Sequence, residues 1–154
     1  MSLRLSTKGI YGIRALSRLV SQFGNGPLPI KTIAEEEKIP LRYLEQLMGQ
    51  LRQSGIVTSL RGPGGGYRLT RHPEDIKLAE IIKILEGSIS LVRCLEDNHP
   101  TFCNHENSCT SRIVCMKLSQ MIDQFLSSVS LSEITDESWQ EKVIQIQHTE
   151  LIES

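Results

Sequence analysis

The sequence predicts a mainly α-helical chain with one small β-hairpin and a long helix in its C-terminal half. Three observations lead there. Apolar residues recur at helical spacing in four stretches before residue 90. Two short β-prone runs flank a Gly/Pro loop, RGPGGG at 61–66. A stripe of large apolar residues then runs from Val114 to Val129 with little sequence left to pack on it.

The elements follow in order. Ile13, Leu16, Leu19, Val20 and Phe23 share one face, so 9–23 is expected to be an amphipathic helix, ended by GNGPLP at 24–29. Within IKTIAEEEKI, 30–39, Ile30, Ile33 and Ala34 turn inward and three glutamates turn outward. Pro40 stands where a helix start tolerates proline. Leu41, Leu44, Leu47, Met48 and Leu51 line one face of 41–55, which Gly55 closes. Two helices with a tight connection, behind a first helix, match a helix-turn-helix core. IVTSL (56–60) and YRLT (67–70) read as a hairpin, and a hairpin placed there is the wing of a winged helix. GPGGG is no phosphate loop: it lacks the Gly-Lys-Ser/Thr ending and precedes a strand. Residues 76–87 form a further amphipathic helix stopped by Gly87. From about residue 110, Val114, Leu118, Met121, Ile122, Phe125 and Val129 mark a long helix, read as a dimer seam. Ser130 and Glu133 have capping-box spacing, and the tail after it is expected to fray. The division expected is a winged helix-turn-helix unit at 1–72, a cysteine loop with dimerisation helices at 73–135, and a tail at 136–154.

Charge supports that division. Residues 1–72 carry 11 Lys and Arg against 4 Asp and Glu, whereas 73–154 carry 6 against 14. A basic first half points to a polyanion such as double-stranded DNA. In a winged helix the third helix enters the major groove and the wing reaches the minor groove or backbone. The exposed side chains there would be Arg42, Tyr43, Glu45 and Gln46, with Gln50 and Arg52 further along. Arginine pairs with guanine and glutamine with adenine, while Glu45 accepts from cytosine or repels phosphate. Arg61, Gly64, Gly65, Gly66 and Tyr67 would form the wing contact, with Arg68 beside it. Ser6, Thr7 and Lys8 combine a helix cap with a backbone contact. A dimer on a pseudo-palindromic operator would double this small footprint. No nucleophile–base pair or carboxylate dyad suggests an enzyme. No run reaches the ~18 apolar residues of a membrane span, so a cytoplasmic location is expected.

All four cysteines, Cys94, Cys103, Cys109 and Cys115, fall in one 22-residue window. Zinc knuckles normally pair cysteines two to four apart. Here the intervening gaps are eight, five and five residues. An iron–sulfur cluster, zinc, a disulfide switch and no cofactor all remain open on spacing alone.

LSTKGIYG (5–12), YLEQLMGQLRQSGIV (43–57) and SLRGPGGGYRL (59–69) resemble the winged helix-turn-helix regulators of the IscR/NsrR/RirA family. EIIKILEG, the cysteine loop and FLSSVSLSEI extend the resemblance to about residues 3–135. It implies a homodimeric transcription regulator, a repressor, switched by a [2Fe–2S] or [4Fe–4S] cluster. Cys94, Cys103 and Cys109 match the family's three cysteine ligands. Glu45 matches a position tied to selection between classes of DNA site. Where some members carry a histidine ligand three residues after the third cysteine, this chain has Arg112, which stays protonated. Where others carry an N-terminal aspartate ligand, it has Lys8. The fourth ligand is therefore left to Cys115, His105, His99, Glu106 or an exogenous group. Cys115 can join Cys109 on one cluster only if the helix begins after Cys109. The alternative implied is a cofactor-free or thiol-redox regulator of the same fold, acting through a protein partner.

Overall fold

The computed structural model of the chain describes residues 5–88, 90–95 and 109–150. Helix α1 spans Thr7–Ser21 and starts two residues earlier than its apolar spacing suggests. The cause is Ser6, whose hydroxyl accepts from the Lys8 N–H at 3.2 Å; such a cap contributes about 1 kcal/mol. Phe23 falls beyond the helix end, so it does not join the core as expected. It lies exposed, edge-on to the His72 ring at 5.1 Å between centroids.

Helix α2 (Ile30–Glu37) and helix α3 (Leu41–Gln53) are separated by three residues. Lys38 takes the left-handed conformation at φ 53°, and Pro40 caps α3. That turn lets Ile39 enter the core, its N–H donating to the Ala34 carbonyl at 2.9 Å. Strands β1 (Val57–Leu60) and β2 (Gly66–Leu69) pair antiparallel, with Val57 opposite Leu69 and Leu60 opposite Gly66. Leu28 adds a third rung. Its N–H and C=O bond the Tyr67 backbone at 2.8 and 2.9 Å. A β-carbon on Gly66 would run into the Leu28 carbonyl.

Helix α4 (Leu78–Glu86) buries Leu78, Ile81, Ile82 and Leu85. It lies against α1 where Gly9 and Gly12 leave room, since a β-carbon at Gly12 would meet the Leu85 side chain. The core therefore joins residues from both sides of residue 72, and it also takes in Val129 and Leu131. Burying a Leu or Ile contributes about 1.5–3 kcal/mol, whereas the partly exposed pair Arg14–Glu37 at 2.9 Å contributes at most about 1 kcal/mol. Apolar packing carries this fold.

Helix α5 (Thr110–Ser128) buries none of its residues within the chain. Val129, expected as the last residue of its apolar stripe, leaves the helix instead. Its backbone turns extended (φ −94°, ψ 127°) and its side chain is only 5% exposed. The reason is long-range pairing: the Leu78 N–H donates to the Val129 carbonyl at 3.0 Å, and the Leu131 N–H to the Ile76 carbonyl at 2.8 Å. The capping box forms as expected, opening the single turn Glu133–Thr135. Glu133 Oε2 accepts from the Ser130 N–H and O–H, both at 2.7 Å, and Glu133 N–H donates to Ser130 Oγ at 3.3 Å. The tail, expected to fray, forms helix α6 (Glu137–Glu150). Asp136 Oδ1 caps it by accepting from the Ser138 N–H at 2.8 Å, and Trp139 packs on the core.

The Ser130 bonds lower the Glu133 carboxyl below its ordinary value. A lowered folded value means the box stabilises the fold fully above the unfolded carboxyl value and loses that contribution as pH falls through the folded one. Ser130→Ala keeps the backbone N–H donor, the larger cause, and removes the hydroxyl, so it is expected to move the Glu133 titration, read by NMR, only part of the way back towards the ordinary carboxylate range and to soften the acid limb of stability. An unchanged Glu133 titration would contradict the box.

Candidate nucleic-acid interface and cysteine loop

Leu44, Leu47, Met48 and Leu51 of α3 are buried, so helical geometry turns Arg42, Glu45, Gln46 and Gln50 to the surface, where all four are exposed. Tyr43 is half-buried. Its ring meets the Tyr11 ring edge-on at 5.8 Å, and the Arg14 guanidinium sits 5.6 Å from the Tyr11 centroid. This stack ties the start of α3 to α1. Arg52, expected to extend the reading face, instead donates to Ser59 Oγ at 3.2 Å and ties α3 to β1.

The N-terminal arginines divide into two groups. Arg14 and Arg18 pair with Glu37 and Glu36 of α2, and Arg71 pairs with Glu80 of α4. These charges are neutralised within the fold. Arg42, Arg61 and Arg68 are exposed and make no ion pair among the described residues. At the wing tip Gly64 has φ 74°, and the Gly65 N–H donates to the Gly62 carbonyl at 2.9 Å. Gly65 has no room for a β-carbon against the carbonyl oxygens of Leu60 and Gly62. Gly64, Gly65 and Gly66 thus shape the tip beside Arg61, and Tyr67 is half-buried and paired with Leu28 and Ser59.

Thr7 is exposed and Lys8 half-buried on the first turn of α1. The Ser6 hydroxyl is occupied: it caps Lys8 and donates to Glu86 Oε1 at 2.6 Å. Glu86 was not singled out by sequence reasoning. A signal existed, because a carboxylate on the last turn of its own helix is electrostatically misplaced and fits a helix start instead.

Cys94 lies in the single turn Arg93–Leu95, Cys109 at the N-terminal cap of α5, and Cys115 within α5. All three are half-buried free thiols. The Arg93–Leu95 turn packs against α5, and the Leu91 N–H donates to Ser119 Oγ at 3.4 Å. Helix α5 begins at Thr110, after Cys109, whose backbone is extended (φ −81°, ψ 106°) and whose side chain makes no capping bond. The Ile113 N–H donates to the Cys109 carbonyl at 3.3 Å, so Cys109 borders the first turn of α5, six residues before Cys115. Cys103 and His105, with His99 and Glu106, lie outside the described residues. Among the described residues no three His, Cys, Asp or Glu side chains converge as a metal site.

A three-helix core, a hairpin wing against its third helix and unpaired arginines on both define a winged-helix transcription regulator rather than an enzyme. The family described as "Rrf2: Iron-dependent Transcriptional regulator" matches residues 5–137, and the chain belongs to it. It is 37% identical to the transcriptional regulator IscR of Photorhabdus laumondii over 134 residues, 87% of this chain and 80% of that one. Among solved structures it resembles CymR of B. subtilis, described as the global cysteine regulator, with TM-score 0.72 and 36% identity, covering 87% of this chain and 97% of that one. T. potens IscR matches with TM-score 0.70 and 38% identity, covering 87% of each. No helix among the described residues is long and apolar enough to cross a membrane.

Proposed function

We propose that the protein is a homodimeric, cytoplasmic transcriptional repressor whose grip on a pseudo-palindromic operator is switched by an iron–sulfur cluster in the cysteine loop. The arrangement that carries this reading is the junction at Cys109. A thiol-rich loop leaves α4 at Gly87 and ends at the N-terminus of α5, whose helix dipole favours an anionic, thiolate-bound group. The donor set fits: Cys94, Cys103 and Cys109 are the proposed ligands, and the fourth comes from Cys115 or His105. Ligation would tie the Arg93–Leu95 turn to the start of α5. When bound, the cluster supplies a link whose integrity depends on iron and oxidants.

Residues 1–72 serve DNA binding in this reading, 73–135 carry the switch and the dimer seam, and 136–154 are the C-terminal tail. Arg42, Tyr43, Glu45 and Gln46 read the major groove. Arg61, with Gly64, Gly65, Gly66 and Tyr67 shaping the wing, enters the minor groove or meets the backbone, and Thr7 and Lys8 meet phosphate. A second copy covers α5. Val114, Leu118, Met121 and Phe125 fall within an arc of about 60° and are 54, 43, 54 and 54% exposed. Leaving them in water would forgo about 1.5–3 kcal/mol each.

A second reading rests on the likeness to CymR: a thiol-redox regulator without iron, acting through a protein partner. Anaerobic purification separates the two. Iron and acid-labile sulfide are expected in the wild type and absent from Cys109→Ser, while full iron in Cys115→Ser assigns the fourth ligand to His105 or another group. A colourless wild-type protein selects the second reading. Arg61→Ala is expected to weaken binding across many sequences and to flatten the salt slope by about one; an unchanged slope removes the wing contact. Leu118→Glu is expected to sediment as a monomer, and a dimer retained in that variant would place the seam elsewhere.

A further inference from the structure

We propose that Glu86 is the positioning residue through which the cysteine loop acts on the DNA-facing start of α1. The inference rests on the reading above, that the state of the loop controls DNA binding. Glu86 Oε1 accepts three hydrogen bonds from residues about 80 positions away: the Ser6 N–H at 3.0 Å, the Ser6 O–H at 2.6 Å and the Gly9 N–H at 2.9 Å. With Ser6 as the cap of α1, Gly9 is the third helical residue. A capping box normally places its own Glu or Gln at that third position, reaching back to the cap N–H. Here the third position is glycine, and the carboxylate arrives from another helix. A β-carbon at Gly9 would collide with it. The result is a capping box closed over long range.

What lies on either side gives the box a role beyond capping. Thr7 and Lys8, the proposed phosphate contacts, sit between the two clamped residues. On the other side Glu86 is followed by Gly87, at φ 90° with open space around it, where the chain turns into the cysteine loop. Leu85 is locked in the core against Gly12, so the body of α4 cannot follow a movement of the loop. Only Glu86 and Gly87, beyond Leu85, can yield. A change of loop geometry at Gly87 is therefore felt one residue away, at the carboxylate. Release strands the Ser6 and Gly9 N–H groups and frees Thr7 and Lys8 to shift. Latched and released forms are the two states that coupling between sites requires.

The test compares wild type, Glu86→Ala and Glu86→Gln, each as the full chain, with and without the cluster. The probe is a duplex selected from a random-sequence pool with wild-type protein, at one fixed salt concentration. Wild type should show a ratio of DNA affinities between the two forms on the order of 5- to 150-fold. Glu86→Ala should bring that ratio to about one with iron content unchanged. Glu86→Gln, whose amide oxygen can accept the same bonds, should keep most of it. In wild type, hydrogen exchange at the Gly9 amide should differ between the two forms, and in Glu86→Ala it should be fast in both. A wild-type ratio preserved in Glu86→Ala overturns this inference alone. Loss of DNA binding in both forms of Glu86→Ala and of Glu86→Gln makes Glu86 an architectural cap and also overturns it. A wild-type ratio of one overturns the switch itself and this inference with it.

Discussion

Helix α1 can lie against α4 only because positions 9 and 12 carry no side chain, and the rest of the structure depends on that approach. Leu85 fills the space at Gly12, and the Glu86 carboxylate fills the space at Gly9. The contact brings the start of α1 beside the point where the cysteine loop begins. It also completes the core around α3, where Leu44, Met48 and Leu51 are fully buried. Intrinsic helix preference opposes it, because glycine inside a helix costs about 1 kcal/mol against alanine. Two such positions are sustained because burial of Leu85, Ile81 and Leu16 outweighs them.

With the core set, electrostatics sort the surface. The arginines facing α2 and α4 are neutralised by Glu36, Glu37 and Glu80 and hold the helices in register. Among the described residues Arg42, Arg61 and Arg68 are left without an ion pair on α3 and the wing. Ion pairs at partly exposed sites stabilise little. Their larger effect is to confine uncompensated positive charge to the surface that a polyanion would meet.

The C-terminal half follows a different logic. Helix α5 leaves the core after the cysteine loop and returns only through Val129–Ser132, whose backbone pairs with residues 73–78. Both ends of the excursion are thus anchored close to α4, while the helix between them offers an apolar face that no described residue covers. A thiol loop stands at one end and a pinned return at the other, so α5 links the end of the loop to the core.

Short-range patterns were legible in the residues themselves. Apolar spacing located the helices to within a few residues, RGPGGG marked the wing, and Ser130 with Glu133 announced their box. These signals are local, so the residues that cause them lie within one turn or one hairpin. The candidate DNA face was legible for the same reason, since a helix that buries Leu44, Leu47 and Leu51 must expose Arg42, Glu45 and Gln46. Other features depended on partners distant in the chain. Leu28 became a sheet rung, Val129 left its stripe, Arg52 turned to Ser59, and Phe23 moved out of the core. Helix α6 formed although its own pattern was weak, because Trp139 found the core. Glu86 is the clearest case. The sequence by itself determined a winged helix-turn-helix with a thiol loop, because periodicity and turn chemistry act over a few residues. Only the tertiary structure decided that the loop begins where a carboxylate closes the start of α1, because that bond joins residues nearly the length of the folded core apart.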